Sequence, residues 1–152
     1  MNENNMRQVR KGMYSVVNDR RGTGYRSRVI AEGVRMAGKS GTSQVRNITA
    51  AERARGVSRN EDLPWERRDH ALFVAFAPYD KPRYAVSVLV EHGGGGSTAA
   101  APIARDVMLQ AIYGGEPPLE AYPTADRGRI AEQQKALRAI QPQADFSGKD
   151  QA

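Results

Sequence analysis

The sequence predicts an α+β fold in which an antiparallel sheet is flanked by helices, and three observations carry that expectation. Met6, Val9, Met13, Val16 and Val17 recur at steps of three and four residues, the period of an amphipathic helix with one buried face. Two runs rich in β-branched and aromatic residues, His70 to Ala77 and Tyr84 to Glu91, are separated only by Pro78 to Arg83. A connection that short cannot house a parallel crossover, so the pair is an antiparallel hairpin. Finally, Ala100, Ile103, Ala104, Val107, Met108, Ala111 and Ile112 give a second helix one apolar face, and the small alanines predict close packing on the sheet.

The elements follow in order. Asn18-Asp19 stops the first helix, and Arg20-Arg21-Gly22-Thr23-Gly24 is a turn, after which the chain becomes extended near Val29-Ile30. Met36 to Val45 is rich in small residues and has no helical period, which reads as a strand that something approaches closely. Residues 47–69 form a polar, charged excursion, with Ala50 to Arg55 supplying one or two helical turns before Gly56. The run from Gly93 to Gly96 is a hinge. Ser97 or Thr98 then caps the second helix, with Pro102 in its first turn and Gly114-Gly115 at its end. Beyond Pro117-Pro118 large apolar residues thin out, so 116–152 is expected to be a disordered polar tail holding at most a lone helix near 130–140. No internal repeat is present.

Composition narrows the function. The 152 residues, 39% hydrophobic and 26% charged, suit one soluble domain, and no apolar run approaches the ~20 residues of a membrane span. Met1 to Asn5 show no basic segment leading into an apolar one, so the sequence as given carries no secretory signal and belongs either to the cytoplasm or to something longer. The absence of cysteine excludes disulfides, thiolate metal sites and thiol nucleophiles, and His70 and His92 are too few for a histidine-built zinc centre; no metal or other cofactor is expected. Residues 1–46 hold ten Lys/Arg against Glu3, Asp19 and Glu32, a local excess of seven positive charges that suits an anionic partner. A nucleic-acid binder would interleave aromatics with those cations. Only Tyr14 and Tyr25 appear there, which weakens that alternative.

One segment satisfies two chemical patterns. Gly33-Val34-Arg35-Met36-Ala37-Gly38-Lys39-Ser40 matches the phosphate-cradling G-x-x-x-x-G-K-[ST] loop. That loop needs a solid apolar strand before it, a helix opening right after Lys-Ser, and a parallel sheet. Here Gly41-Thr42-Ser43 makes a poor first helical turn, and the would-be acidic strand Val86 to Glu91 sits in the antiparallel hairpin. Nucleotide binding is thus the weaker alternative. Read instead as Lys39-Ser40-Gly41-Thr42 on a strand, the segment is the K-[ST]-G signature of acyl-transferring serine enzymes that react with penicillins.

The agreement extends well beyond the tetrad. Gly12-Met13, Gly22-Thr23, Ala37 to Val45, Arg68-Asp69-His70, Ala75 to Tyr79, Glu91 to Gly96 and Ala100-Ala101-Pro102 follow in order. In these residues the chain resembles the C-terminal part of a class B penicillin-binding protein transpeptidase domain, of the type that serves the elongation machinery. The resemblance implies that residues 1–115 are an incomplete piece of the serine β-lactamase/D,D-transpeptidase fold. It implies an inner-membrane parent with a periplasmic catalytic domain, and as partners a D-Ala-D-Ala stem peptide, β-lactams and elongation-complex proteins, with no nucleic acid. Lys39 and Ser40 would sit at the ligand's carboxylate, with Lys39 also supporting the proton network and Thr42 adding its hydroxyl. Gly41 would let the acyl group lie against the backbone, and the Thr42 N–H would be an oxyanion donor.

The family's nucleophile and proton shuttle, S-x-x-K and S-x-N, are expected upstream of this strand. No serine here has lysine three residues on, and Ser58-Arg59-Asn60 lies downstream, so it is read as coincidence. No transpeptidase activity is expected from this polypeptide alone. Asp69, His70, Glu91 and His92 read as supports of loop and hinge, and Trp65 as an apolar anchor of the excursion.

Overall fold

The computed structural model describes residues 2–140. Helix α1, Glu3–Asn18, is capped by the Asn2 side chain, which accepts a hydrogen bond from Asn4 N–H. Strand β1, Ala37–Ser43, follows, then a short helix α2, Ala50–Arg55, inside the polar excursion. Strands β2, His70–Ala77, and β3, Tyr84–Val90, complete a three-stranded antiparallel sheet of order β1-β2-β3. A single π-type turn, Gly96–Ala100, leads into α3, Ala101–Tyr113, and α4, Thr124–Ile140, closes the described chain. The strand and hairpin expectations hold. Gly114 ends α3 in the left-handed conformation that glycine adopts without strain.

The core lies between the sheet and α3. Ala71, Phe73, Ala75 and Ala77 alternate onto one face of β2 and are buried, and Ala100, Ala101, Ala104, Met108 and Leu109 meet them from the helix side. The alanines do what their size suggests. Phe73 is the central filler, and Gly38 on β1 admits its ring: a Cβ there would come within 2.6 Å of Phe73 Cε1.

Three expectations need correction. The face of α1 that periodicity marks as buried is covered only toward its C-terminal end: Val17 is fully buried and Met13 and Val16 half-buried, but Met6 and Val9 are exposed. The buried arc of α3 is also rotated from the one expected, because Ile103, Val107 and Ala111 face outward while Ala101, Arg105 and Leu109 are buried. A period locates an apolar stripe without saying what covers it.

The third correction concerns residues 116–140, which are not a disordered tail. Leu119–Ala121 forms a 3₁₀ turn and α4 docks on α3, with Ala121, Tyr122, Ile130 and Gln134 buried. Polar contacts replace the missing apolar mass. Buried Arg105 bonds Asp106 and Asp126 and lies over the Tyr122 ring, Gln134 Nε2 donates to Pro117 O at 2.8 Å, and Arg138 forms a bidentate pair with Glu116. Burial works against the Arg105 charge, but the two carboxylates outweigh it and hold its pKa above the ordinary arginine value. The rest of the expected tail, 141–152, lies outside the described residues.

Candidate functional site

The Lys39-Ser40-Gly41-Thr42 tetrad runs through the middle of β1, whose outer edge pairs with no other strand among the described residues. Its register with β2 is Lys39 to Val74, Ser40 to Phe73, Gly41 to Leu72 and Thr42 to Ala71. Side chains alternate across a strand, so Lys39 shares the open face of Val74, whereas Ser40 and Thr42 share the α3 face of Phe73 and Ala71. The ammonium and the hydroxyls therefore project to opposite sides. A ligand that engages both must lie along the free edge of β1, where the backbone's own donors and acceptors stand.

The groups are accessible. Lys39 and Thr42 are exposed and Ser40 and Gly41 half-buried. Lys39 Nζ donates to Ser40 O at 2.6 Å, and no carboxylate pairs with it among the described residues, which leaves its charge available to an anion. Ser40 Oγ and Thr23 Oγ1 are 3.1 Å apart, so the turn after α1 reaches the tetrad directly. That turn is locked in place: Gly24 N–H donates to Val16 O at 2.9 Å, and a Cβ on Gly22 would collide with the carbonyls of Ser15 and Val16.

Gly96 supports the tetrad from behind. A Cβ on it would collide with Leu72 O and lie 2.5 Å from Gly41 O, so the start of the α3 segment rests backbone to backbone on Gly41. Sequence reading noticed the glycine run as a hinge but missed this contact, whose signal is that one glycine of the run faces a glycine of the strand. Gly41 itself is less constrained within the described residues, since its nearest neighbour to an added Cβ is Leu72 Cβ at 3.4 Å.

The remaining residues singled out in the sequence assemble beside the strand ends. Asp69 N–H donates to Asn60 Oδ1 at 2.8 Å and Asn60 Nδ2 returns a bond to the Asp69 carboxylate, so Asn60 anchors the excursion. His92 N–H donates to His70 Nδ1 at 2.9 Å, and His92 Nδ1 lies 2.9 Å from Arg68 O. Trp65 packs at a tilt of 57° against His92 with ring centroids 4.4 Å apart, although 56% of its surface stays exposed. Ser58 is exposed in the excursion, which follows β1 in the chain. No group of three or more metal-ligating side chains occurs among the described residues. The sheet has no parallel pair there, and Lys39-Ser40 lies mid-strand instead of opening a helix, so nothing favours the phosphate-loop alternative. The basic N-terminal stretch likewise gains no support as a nucleic-acid module.

Residues 1–109 match the model of the penicillin-binding protein transpeptidase domain. The chain belongs to that family. It is 42% identical over 114 residues to the peptidoglycan D,D-transpeptidase MrdA of Haemophilus influenzae, covering 75% of this chain and 17% of that protein. To MrdA of Escherichia coli K12 it is 36% identical over 106 residues, covering 70% of this chain and 16% of that protein. The chain thus spans about a sixth of the length of these relatives.

Solved transpeptidases share the fold. Penicillin-binding protein 2 of Helicobacter pylori, in a complex with MreC, superposes with a TM-score of 0.55 at 34% identity, over 73% of this chain and 17% of that one. The Pseudomonas aeruginosa protein, in complex with WCK 5153, gives 0.54 at 34% identity over 83% and 23%. The sheet and its helices are therefore an incomplete piece of the transpeptidase α+β fold. No described helix is long and apolar enough to cross a membrane.

Proposed function

We propose that this chain supplies the ligand-binding strand of a peptidoglycan D,D-transpeptidase, the wall against which an acyl-D-Ala-D-Ala peptide or a β-lactam lies. The observation that carries the reading is a Lys39-Ser40-Gly41-Thr42 tetrad on a strand with a free edge, with Lys39 and Thr42 exposed and the cation unpaired by any described carboxylate. An extended peptide adds to such an edge through main-chain hydrogen bonds. Its terminal carboxylate is held by Lys39 with the hydroxyls of Ser40 and Thr42, through charge-assisted bonds. Gly41 leaves room for the acyl group, and the Thr42 N–H donates to the oxygen that becomes negative in the tetrahedral intermediate.

The attacking serine comes from outside these residues, because no Ser-x-x-Lys occurs in them. The parent enzyme acts at the inner membrane with its catalytic domain in the periplasm, alongside elongation-complex proteins; the Helicobacter pylori relative solved with MreC supports that last point. Incubating the chain with a fluorescent penicillin is expected to leave no covalent label. Amide resonances of 39–42 should nevertheless shift on titration with an intact β-lactam, and Lys39→Ala should abolish the shift. A covalent adduct would overturn the assignment of the serine elsewhere, and unshifted β1 resonances would overturn the strand's role.

A further inference from the structure

A second place for an anion lies on the other side of the Thr23–Ser40 contact. The turn 20–27, the start of the α3 segment and the first turns of α4 enclose a cleft of about 410 Å³, within the size range of small-ligand sites. Arg20, Arg26 and Arg129 line it, with hydroxyls from Thr23, Ser97 and Thr98. None of the three guanidinium groups pairs with a carboxylate among the described residues, and their one side-chain hydrogen bond there runs from Arg129 Nη1 to the amide oxygen of Gln133. The wall's carboxylate, Asp126, is committed to buried Arg105. Arg105, which does not itself line the cleft, is balanced by Asp106 and Asp126 and so takes the Asp126 charge away from the cleft wall.

Three exposed arginines line one cleft together with neutral hydroxyl donors and have no carboxylate partner among the described residues, which leaves their donors open to an anion, and the guanidinium fork matches tetrahedral oxyanions by paired N–H donation. We propose that this cleft is a binding site for a phosphate-class oxyanion, separate from the carboxylate position at Lys39. Arg129 stands on α4, beyond residues 1–109 that match the transpeptidase family. The segment after α3, docked through Arg105, thereby completes the cleft. The site does not depend on the transpeptidase reading, since its ligand contacts none of the tetrad's side chains except through the Thr23–Ser40 bond.

The test follows backbone amide and arginine Nε–Hε resonances of the full chain during titration with pyrophosphate, inorganic phosphate and acetate at constant ionic strength. Saturable shifts confined to Arg20, Arg26, Arg129 and the Thr23 and Ser97 amides are expected, tightest for pyrophosphate and weakest for acetate. Arg26→Gln and Arg129→Gln should each weaken pyrophosphate roughly ten-fold. Arg129→Lys should recover only part of the loss, and Lys39→Ala should leave it unchanged. Vesicles bearing phosphate headgroups, compared with the free ions, identify the ligand's source, and capture in either form supports the site. Linear, unsaturated shifts, acetate equal to pyrophosphate, or binding lost with Lys39→Ala would overturn it; dispersed spectra of the variants show that they remain folded.

Discussion

The sheet with α3 and the excursion between β1 and β2 are joined by the same backbone yet held by different forces. The sheet body buries Phe73, Met36, Met108 and Leu109 completely and is stabilised by area removed from water. The excursion, residues 44–69, buries no residue at all. It is tied down by individual polar contacts: Arg46 bidentate on Glu52 at 2.7 Å, the Thr49 cap of α2, Asn60 on Asp69, and Trp65 laid against His92. Apolar burial is cooperative and unforgiving of volume changes, whereas these ties can fail one at a time. A single change should therefore collapse the first region and merely loosen the second.

The sharpest contrast comes from Phe73→Ala, which should cost about 3–5 kcal/mol and is read as a fall in denaturation midpoint for the whole chain. Asp126→Ala comes next, since it leaves Arg105 buried with only Asp106 to balance it. A loss of about 3 kcal/mol is expected, with hydrogen exchange rising in α4 before the sheet. Gly96→Ala should cost roughly 1–3 kcal/mol, because the methyl meets rigid carbonyls, and should displace the resonances of Gly41 and Thr42 while those of 50–67 stay in place.

Trp65→Ala should cost less than about 1 kcal/mol, given its exposure, and should raise exchange only within 57–69. The smallest effect is titration of the Glu52 clasp. Its hydrogen bonds from Arg46 hold the carboxyl below the ordinary value of 4.5. The clasp is therefore intact above that pH and lost as pH falls through the lowered value, so exchange at Glu52 N–H should rise only under acid conditions. Global unfolding in step with Glu52 protonation would erase the distinction between the two regions.

What the sequence disclosed follows the same division. β2 and β3 were legible because β-branched and aromatic residues sit in uninterrupted runs with a short connection, and β1 because the tetrad's small residues exclude a helical reading. The tetrad's position on a strand was likewise readable, but its free edge and the opposite orientation of Lys39 from Ser40 and Thr42 required the register. The docking of α4 was not readable. Its principal tie joins Arg105, which looks like a polar interruption in an apolar helix, to a carboxylate 21 residues away, and no local pattern links the two. The open ends of the α1 and α3 faces were unreadable for a related reason: Met6, Val9, Ile103 and Val107 fit the apolar period yet stand exposed among the described residues.

The bare seat of Gly96 on Gly41 makes β1 and the head of α3 one mechanical unit. Side chains can absorb a shift by changing rotamer, but two abutting main chains have no such cushion. A displacement of the β1 edge at Gly41 therefore meets the segment that carries Ser97 and Thr98 with no side chain between them to take up the shift.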